Sequence, residues 1–137
     1  MNLPSKIKFR SGYEREVYKN TYKVSKPSSF SLAYEDKKEK MKYTIEHEYL
    51  SDLVLTSKDK LRKIHVECKG YFKPSDRKKM LAVIRDNPDK DIRMLFQQDN
   101  KLSKAPRSKK YSQWCEQHGI KWAVGNKVPD EWIKELK

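Results

Sequence analysis

The sequence predicts an α/β fold in which a mixed β-sheet is flanked by helices. Three observations lead to this prediction. A helix start near residue 11 precedes several strand-like segments, the last two of these segments lead directly into an amphipathic helix, and another apolar segment of strand length follows that helix. We therefore expect the element order α-β-β-β-α-β, followed by a C-terminal part that contains helices.

The first predicted helix begins at Ser11, whose hydroxyl can cap it. Glu14 stands three residues later, which is the position of the acidic member of a capping box. Lys26-Pro27 is predicted to end the segment, because a proline disfavours helical backbone in the residue before it. From this pattern alone, Glu14 is interpreted as a helix-capping residue.

Three or four strands are predicted next. Apolar and polar residues alternate in residues 30–35 and 41–48, and a polar turn separates these segments, which indicates a hairpin. Residues 50–55 and 61–69 are predicted as the following two strands, joined by another polar turn.

The second half of the chain alternates between helices and strands. Pro74 opens a helix with an apolar stripe, and Asn87-Pro88 stops it. A strand is predicted over residues 91–97, and a basic loop over residues 98–110. The remaining predicted elements are a helix at 111–118 closed by Gly119, a strand at 120–124 and a helix at 129–136.

The net charge of the chain indicates a polyanionic partner. Lys and Arg total 32 against 19 Asp and Glu in 137 residues, a formal charge of +13. Nucleic acid is the commonest partner of so basic a domain, and the alternative is a solvated lysine-rich surface. No apolar run approaches membrane-spanning length and the N-terminus is too polar for a signal peptide, so we expect a cytoplasmic protein without a membrane partner.

The cysteines and histidines do not predict a metal site. Cys68 and Cys115 fall on predicted apolar faces, which indicates reduced core residues of a cytosolic protein. His47, His65 and His118 form no pair with ligand spacing among themselves or with the cysteines, so no zinc site is predicted.

The strongest functional signal lies on the two strands before the second helix. Asp52 stands in one of them, and the triplet Glu67–x–Lys69 ends the other. Because side chains alternate along a strand, Glu67 and Lys69 project to the same side, while Cys68 belongs to the apolar, buried side.

Two carboxylates beside a lysine are costly to assemble unless they hold a divalent cation and a water to be deprotonated. This group therefore indicates a metal-dependent phosphodiesterase. The alternative is a cross-strand ion pair worth about 0.3 kcal/mol. Three features favour the first interpretation: Gly70 follows at once, Asp52 replaces a branched apolar residue, and the strands lead into a helix and a further strand, as in restriction-type nucleases.

Basic residues cluster around the predicted site and in the loop over residues 98–110. Each cluster alone can be a solvated surface. The start of the second helix must lie close to the predicted metal site, however, and its amides can hold a phosphate, while the loop is expected to clamp a DNA backbone. The residues predicted to bind DNA are Arg10, Lys73, Arg77, Lys78, Lys79, Lys104, Arg107, Lys109 and Lys110.

Several separated stretches match a known nuclease family in the same order. They are Phe9-Arg10-Ser11-Gly12-x-Glu14, Val66-Glu67-x-Lys69-Gly70, Asp76-Arg77-Lys78-Lys79, Asp91-Ile92-Arg93, Cys115-Glu116-x-His118-Gly119-Ile120-Lys121 and Glu131-Trp132-Ile133-Lys134. Through them the chain resembles the phage endonuclease I family, the Holliday-junction resolvases of T7-like phages. His47 and Tyr49 also match family positions, whereas Ser51 replaces the proline that precedes the aspartate in the family.

The resemblance implies a restriction-endonuclease-like, PD-(D/E)-x-K nuclease fold. It implies one nuclease domain over residues 1–137, intertwined with a second copy through the N-terminal helix. The catalytic set carried over is Glu14, Asp52, Glu67 and Lys69. One metal ion would be held by Asp52, Glu67 and the backbone carbonyl of Cys68, and a second by Asp52 and Glu14 of the partner subunit. The implied ions are two Mg2+ per active site, with Mn2+ as a substitute.

The resemblance also implies a structure-selective DNA endonuclease that cuts four-way junctions by paired nicks. It would act as a homodimer on branched double-stranded DNA, in the cytoplasm of the host cell. Two alternatives remain open: a restriction- or repair-type nuclease of the same fold that acts on linear or mismatched duplex, and a non-catalytic basic DNA-binding protein. The second alternative would leave three acids to repel a phosphate backbone.

Overall fold

The computed structural model describes residues 7–25 and 30–137. It divides the chain into two compact units, Met1–Glu46 and His47–Lys137. Within the described residues, no helix has both the length and the apolar character that crossing a membrane requires.

The first unit is built around helix α1, Gly12–Val24. The helix begins where expected, because the Ser11 hydroxyl accepts a hydrogen bond from the backbone N–H of Glu14 at 3.2 Å. The ring of Phe9 packs against Tyr18 and Tyr34, with centroids 5.4 and 4.7 Å apart. The predicted helix stop at Lys26-Pro27 lies outside the described residues.

The hairpin predicted for residues 30–48 is wrong. The described structure has no strand there and only a short 3-10 turn at Lys37–Glu39. Met41, Tyr43 and Ile45, the apolar positions of the alternation, are 91%, 85% and 62% exposed. Alternation makes a strand only where a neighbouring strand pairs with it and one face becomes buried, and within the described residues this segment has neither.

The second unit contains a four-stranded mixed sheet in the order β1-β2-β3-β4. Strand β1 is antiparallel to β2, whereas β2, β3 and β4 run parallel. Its elements in chain order are β1 Leu53–Thr56, β2 Lys63–Lys69, α2 Pro74–Asp86, β3 Ile92–Phe96, α3 Tyr111–Gln117, β4 Trp122–Val124 and α4 Asp130–Lys134. The predicted α/β class with a mixed sheet and flanking helices is confirmed, although two strands, rather than three, precede α2.

Helices cover both faces of this sheet. On one face, α2 and α3 supply Met80, Tyr111, Trp114 and Cys115 to an apolar cluster that includes Phe96 of β3. On the other face, Trp132 of α4 packs against Ile64, Val66 and Leu95. The parallel crossovers β2-α2-β3 and β3-α3-β4 both place their helix on the first face.

The side chain of Arg93 links the end of α4 to the sheet through hydrogen bonds. Its side chain is 2% exposed and donates two hydrogen bonds to Asp91, at 2.9 and 2.8 Å, and two to Glu135, at 2.6 and 3.0 Å. Its guanidinium carbon also lies 5.2 Å from the centre of the Trp132 ring. The Asp91-Ile92-Arg93 stretch is therefore structural, because it joins the last helix to β3.

Candidate active site

The candidate site lies where β1 begins and β2 ends. Asp52 immediately precedes β1, and the register that pairs Leu53 with Val66 brings it beside Glu67. Its carboxylate oxygen Oδ2 accepts a hydrogen bond from the backbone N–H of Cys68 at 2.8 Å. This hydrogen bond is the main reason why the pKa of Asp52 lies below its ordinary value, so that Asp52 stays ionised.

Glu67 is a buried carboxyl group, 4% exposed. The hydroxyl of Tyr49 donates a hydrogen bond to its Oε2 atom at 2.9 Å. Burial raises the pKa of Glu67 and the adjacent Asp52 carboxyl raises it further, whereas the Tyr49 hydroxyl acts in the opposite direction. Asp52 and Glu67 therefore form a carboxyl pair in which the second ionisation is opposed by the first.

Lys69 reaches a third acid at the start of α2. Its Nζ atom lies 3.3 Å from Oδ1 of Asp76, and both side chains are largely buried. The other oxygen of Asp76 accepts the backbone N–H of Lys73 at 3.0 Å. Although burial alone would raise the pKa of Asp76, this hydrogen bond and the Lys69 ammonium lower it. The first turn of α2 thus holds the lysine beside the carboxyl pair.

The chemistry of these donors suits a hard divalent cation. Asp52 and Glu67 offer carboxylate oxygens, and Mg2+ typically binds through one or two carboxylates while it keeps several waters and contacts substrate phosphates. Across residues 7–25 and 30–137, no group of three or more Asp, Glu, His or Cys side chains is gathered in a way that could hold a metal ion. Within the described residues, Asp52 and Glu67 would therefore supply only part of a coordination shell.

Comparison with known proteins identifies the family of this chain. The family model described as phage endonuclease I matches residues 3–137. This chain belongs to that family. Endonuclease I of Escherichia phage T7 is 38% identical over 134 residues, which covers 94% of this chain and 80% of the relative. Endodeoxyribonuclease 1 of Enterobacteria phage T3 is 34% identical over 134 residues, covering 94% and 79% of the two chains. The protein is thus an endonuclease.

In this endonuclease Glu14 lies in the first unit, at the start of α1. The hydroxyl of Tyr34 donates to its Oε1 at 2.7 Å, and the hydroxyl of Ser11 donates to its Oε2 at 2.9 Å. These two hydrogen bonds, that of Tyr34 first, hold the pKa of Glu14 below its ordinary value. Its carboxylate bonds the Ser11 side chain, and its role as a metal ligand remains a prediction.

The prediction that Cys68 is buried is wrong, because its side chain is exposed. Strand β1 begins at Leu53, opposite Val66, so the pairing of β1 with β2 ends before it reaches Cys68. The apolar cluster under α4 contains Ile64 and Val66 of β2, and it does not extend to Cys68. Cys115 is confirmed as a core residue.

The predicted DNA-binding residues of the second helix lie around its first turn. Lys73 and Lys78 are exposed, and the Lys79 ammonium lies 5.5 Å from the centre of the Tyr49 ring. Arg77 is half-buried and donates to the backbone carbonyl of Phe72 at 2.8 Å. Since Asp76 of this turn contacts Lys69, the expected closeness of the helix start to the carboxyl site is confirmed.

The remaining predicted DNA-binding residues occupy two other places. Arg10 lies in the first unit and forms an exposed ion pair with Glu35 at 2.9 Å. The others lie on the basic loop, residues 98–110. The backbones of Lys101 and Lys110 form an antiparallel β-bridge there, and the Leu102 N–H donates to the Lys109 carbonyl at 2.8 Å. Lys104 and Arg107 are exposed in the part of the loop beyond this closure.

Two residues of the site were not assigned contacts from sequence. Tyr49 matched a family position, but it fell between the predicted strands 41–48 and 50–55, and no contact with Glu67 was expected. Asp76 was expected only at the start of the second helix, as part of a stretch that matches the family. Its position three residues after Lys73 is the signal for a capping role, whereas its ion pair with Lys69 depends on how α2 packs on the sheet.

Proposed function

We propose that this endonuclease is a divalent-metal-dependent enzyme that resolves four-way DNA junctions by paired nicks. The observation that carries the proposal is the pairing of Asp52 with a buried Glu67, next to a lysine that is held by Asp76. A second carboxylate beside the buried Glu67 is unfavourable by itself, and a bound cation makes the pair favourable.

Asp52 and Glu67 would hold the first of two Mg2+ ions, together with the backbone carbonyl of Cys68, and Mn2+ would substitute. When bound, such ions stabilise the negative charge that develops on phosphoryl oxygens and lower the pKa of water. Lys69 places its ammonium at the same end of β2 as Glu67, where it orients the attacking water or a phosphate oxygen. Asp76 keeps that ammonium at the site before substrate binds. Cleavage would leave a 5′-phosphate.

The proposal includes a homodimer in which each copy completes the other's active site. Glu14 of the partner subunit would supply the remaining carboxylate of the second metal ion, as the family resemblance implies, so that residues 1–137 form one intertwined nuclease domain. The exposure of Met41, Tyr43 and Ile45, at 62% or more, supports a partner surface on the first unit. Two sites related by a two-fold axis fit the symmetry of a junction.

The substrate would be branched double-stranded DNA in the cytoplasm of the host cell. A formal charge of +13 supports binding through phosphates, which recognises the geometry of a branch and reads little sequence. The nine predicted contacts lie in three places: Arg10 in the first unit, the start of α2, and the basic loop.

One assay tests the proposed activity and substrate together. Purified protein is offered a four-way junction, a linear duplex and a single strand in parallel, with Mg2+ or with EDTA. We expect paired nicks in the junction with Mg2+ and no cleavage with EDTA. Equal cleavage of linear duplex would instead indicate a restriction- or repair-type nuclease, and junction binding without cleavage would indicate an architectural DNA-binding protein.

The basic loop gives a prediction about salt. Each phosphate contact contributes a slope of about 0.9 to the decline of log affinity with log salt concentration. The double variant Lys104→Ala/Arg107→Ala should therefore lower the slope for junction binding by about 1.8, if each side chain contacts one phosphate. The matched control is Lys127→Ala, since Lys127 pairs with Asp130 at 3.3 Å. An unchanged slope in the double variant would exclude the loop from the DNA interface.

A further inference from the structure

We propose that Tyr49 is a positioning residue that orients the carboxylate of Glu67 for metal binding. This inference rests on the proposed function, because it assumes that Glu67 is a metal ligand. It adds a role for a residue outside the catalytic set of Asp52, Glu67, Lys69 and Glu14.

Contacts on three sides hold the phenol of Tyr49 in place. Its ring packs against the apolar cluster under α2 and α3, whose members include Phe72, Met80 and Phe96. The Lys79 ammonium lies 5.5 Å from the ring centre, a distance at which a cation is attracted to the face of an aromatic ring. The hydroxyl donates to Oε2 of Glu67 at 2.9 Å. The donor is thus fixed before any ligand arrives.

The Glu67 carboxylate depends on such a donor. Strand β2 fixes the backbone of Glu67, but three side-chain torsions separate the carboxylate from that backbone. A buried carboxylate needs a hydrogen-bond donor, and Tyr49 supplies one to Oε2. Groups that orient a metal ligand in this way are worth about 10- to 100-fold in metal affinity.

The competing explanation is that Tyr49 only fills space in the core. A phenylalanine would then serve equally well, since Tyr49→Phe keeps the ring, its packing and its contact with Lys79. Tyr111 offers a matched control, because it belongs to the same apolar cluster, is 2% exposed, and uses its hydroxyl to accept the backbone N–H of Phe72 at 3.3 Å. Tyr111→Phe removes a buried hydroxyl without touching a carboxylate.

The test measures Mn2+ binding to the DNA-free full-length protein by titration calorimetry, with thermal unfolding as a check on folding. Four proteins are compared: the wild type, Tyr49→Phe, Tyr111→Phe and Glu67→Ala. We expect Tyr49→Phe to bind Mn2+ about 10- to 100-fold more weakly than the wild type. Tyr111→Phe should bind Mn2+ as the wild type does, and Glu67→Ala should lose this binding. The Mn2+ concentration for half-maximal junction cleavage should rise in parallel for Tyr49→Phe, with unchanged junction affinity in EDTA.

The outcomes separate the two proposals. If the wild type and Glu67→Ala bind Mn2+ alike, or if neither binds it, the proposed metal site is wrong and this inference falls with it. If Glu67→Ala loses binding while Tyr49→Phe keeps wild-type affinity, the metal site stands and the role of Tyr49 is refuted. Equal weakening in Tyr49→Phe and Tyr111→Phe would also refute it, because the effect would then follow the loss of any core hydroxyl.

Discussion

On the face of the sheet covered by α4, the buried guanidinium of Arg93 donates four hydrogen bonds to Asp91 and Glu135. On the face covered by α2 and α3, the buried carboxyl of Glu67 lies beside a second carboxyl and receives the Tyr49 hydroxyl. The register confirms the two faces, because Arg93 pairs with Val66 of the α4 cluster and Glu67 pairs with Met94 of the other.

Arg93 belongs to a charge cluster that stabilises the fold, whereas we propose that the Asp52–Glu67 pair binds a cation. Arg93 is matched by acids on both sides, so its burial is compensated within the chain. Within the described residues, neither Asp52 nor Glu67 forms a direct ion pair, because the Lys69 ammonium pairs with Asp76 at 3.3 Å. The proposed cation would compensate the Asp52–Glu67 pair as Asp91 and Glu135 compensate Arg93.

The largest expected effect is on catalysis. Lys69→Ala should lower the rate of junction cleavage by about 100- to 1,000-fold, because the proposed function places its positive charge beside the reacting phosphate. Junction affinity, measured by gel shift in EDTA, should stay close to that of the wild type. The control is Lys63→Ala at the other end of β2, where the side chain is exposed. Normal cleavage by Lys69→Ala would show that the two charge clusters do not differ in function.

The second prediction concerns the stability cluster. Arg93→Ala should lower the free energy of unfolding in urea by about 3 kcal/mol, since it removes the buried cation between two acids. Cleavage per folded molecule should remain unchanged. Arg85→Ala is the comparison, because Arg85 forms an exposed ion pair with Asp86 and its loss should leave stability unaltered. A loss of cleavage in folded Arg93→Ala protein would contradict the separation of the two clusters.

The third prediction concerns the effect of the proposed cation on thermal stability. Mg2+ should stabilise the wild type against thermal unfolding, by about 2.7 kcal/mol at a concentration one hundred times the dissociation constant. Mg2+ should stabilise Arg93→Ala by the same amount, although this variant is less stable without Mg2+. Asp52→Ala should lose the stabilisation by Mg2+. Sodium chloride of equal ionic strength controls for screening. If Mg2+ stabilised Asp52→Ala as much as the wild type, the ion would bind at another site.

The smallest effect should appear in acid. Arg93 holds the pKa values of Asp91 and Glu135 below 3.8 and 4.5, so their contribution to stability is present above these values and is lost as the pH falls through the lowered ones. Glu67 acts in the opposite direction in the metal-free protein, because its pKa is raised above 4.5 and its contribution is lost as the pH rises. Urea midpoints between about pH 5 and pH 3 should therefore fall less for Arg93→Ala than for the wild type. Parallel curves for the two proteins would contradict the assigned cause.

The sequence by itself determined the elements whose signals are local. Ser11, Pro74 and Gly119 mark helix ends through hydrogen bonding and backbone preference, and Gly119 has a φ of +67° at the end of α3. Alternation along β2 placed Glu67 and Lys69 on one side, and matching motifs singled out Asp52. These features depend on residues that are close in the chain.

Only the tertiary structure decided what depends on distant partners. It left residues 30–48 without a strand, because an alternating pattern says nothing about whether a neighbouring strand is present. It exposed Cys68, because the pairing with β1 starts at Val66, and it buried Arg93 between two acids that lie far apart in sequence. The contacts of Tyr49 with Glu67 and of Asp76 with Lys69 likewise arise where helix, strand and loop pack together, since side-chain neighbours across such a junction are fixed by packing and not by spacing along the chain.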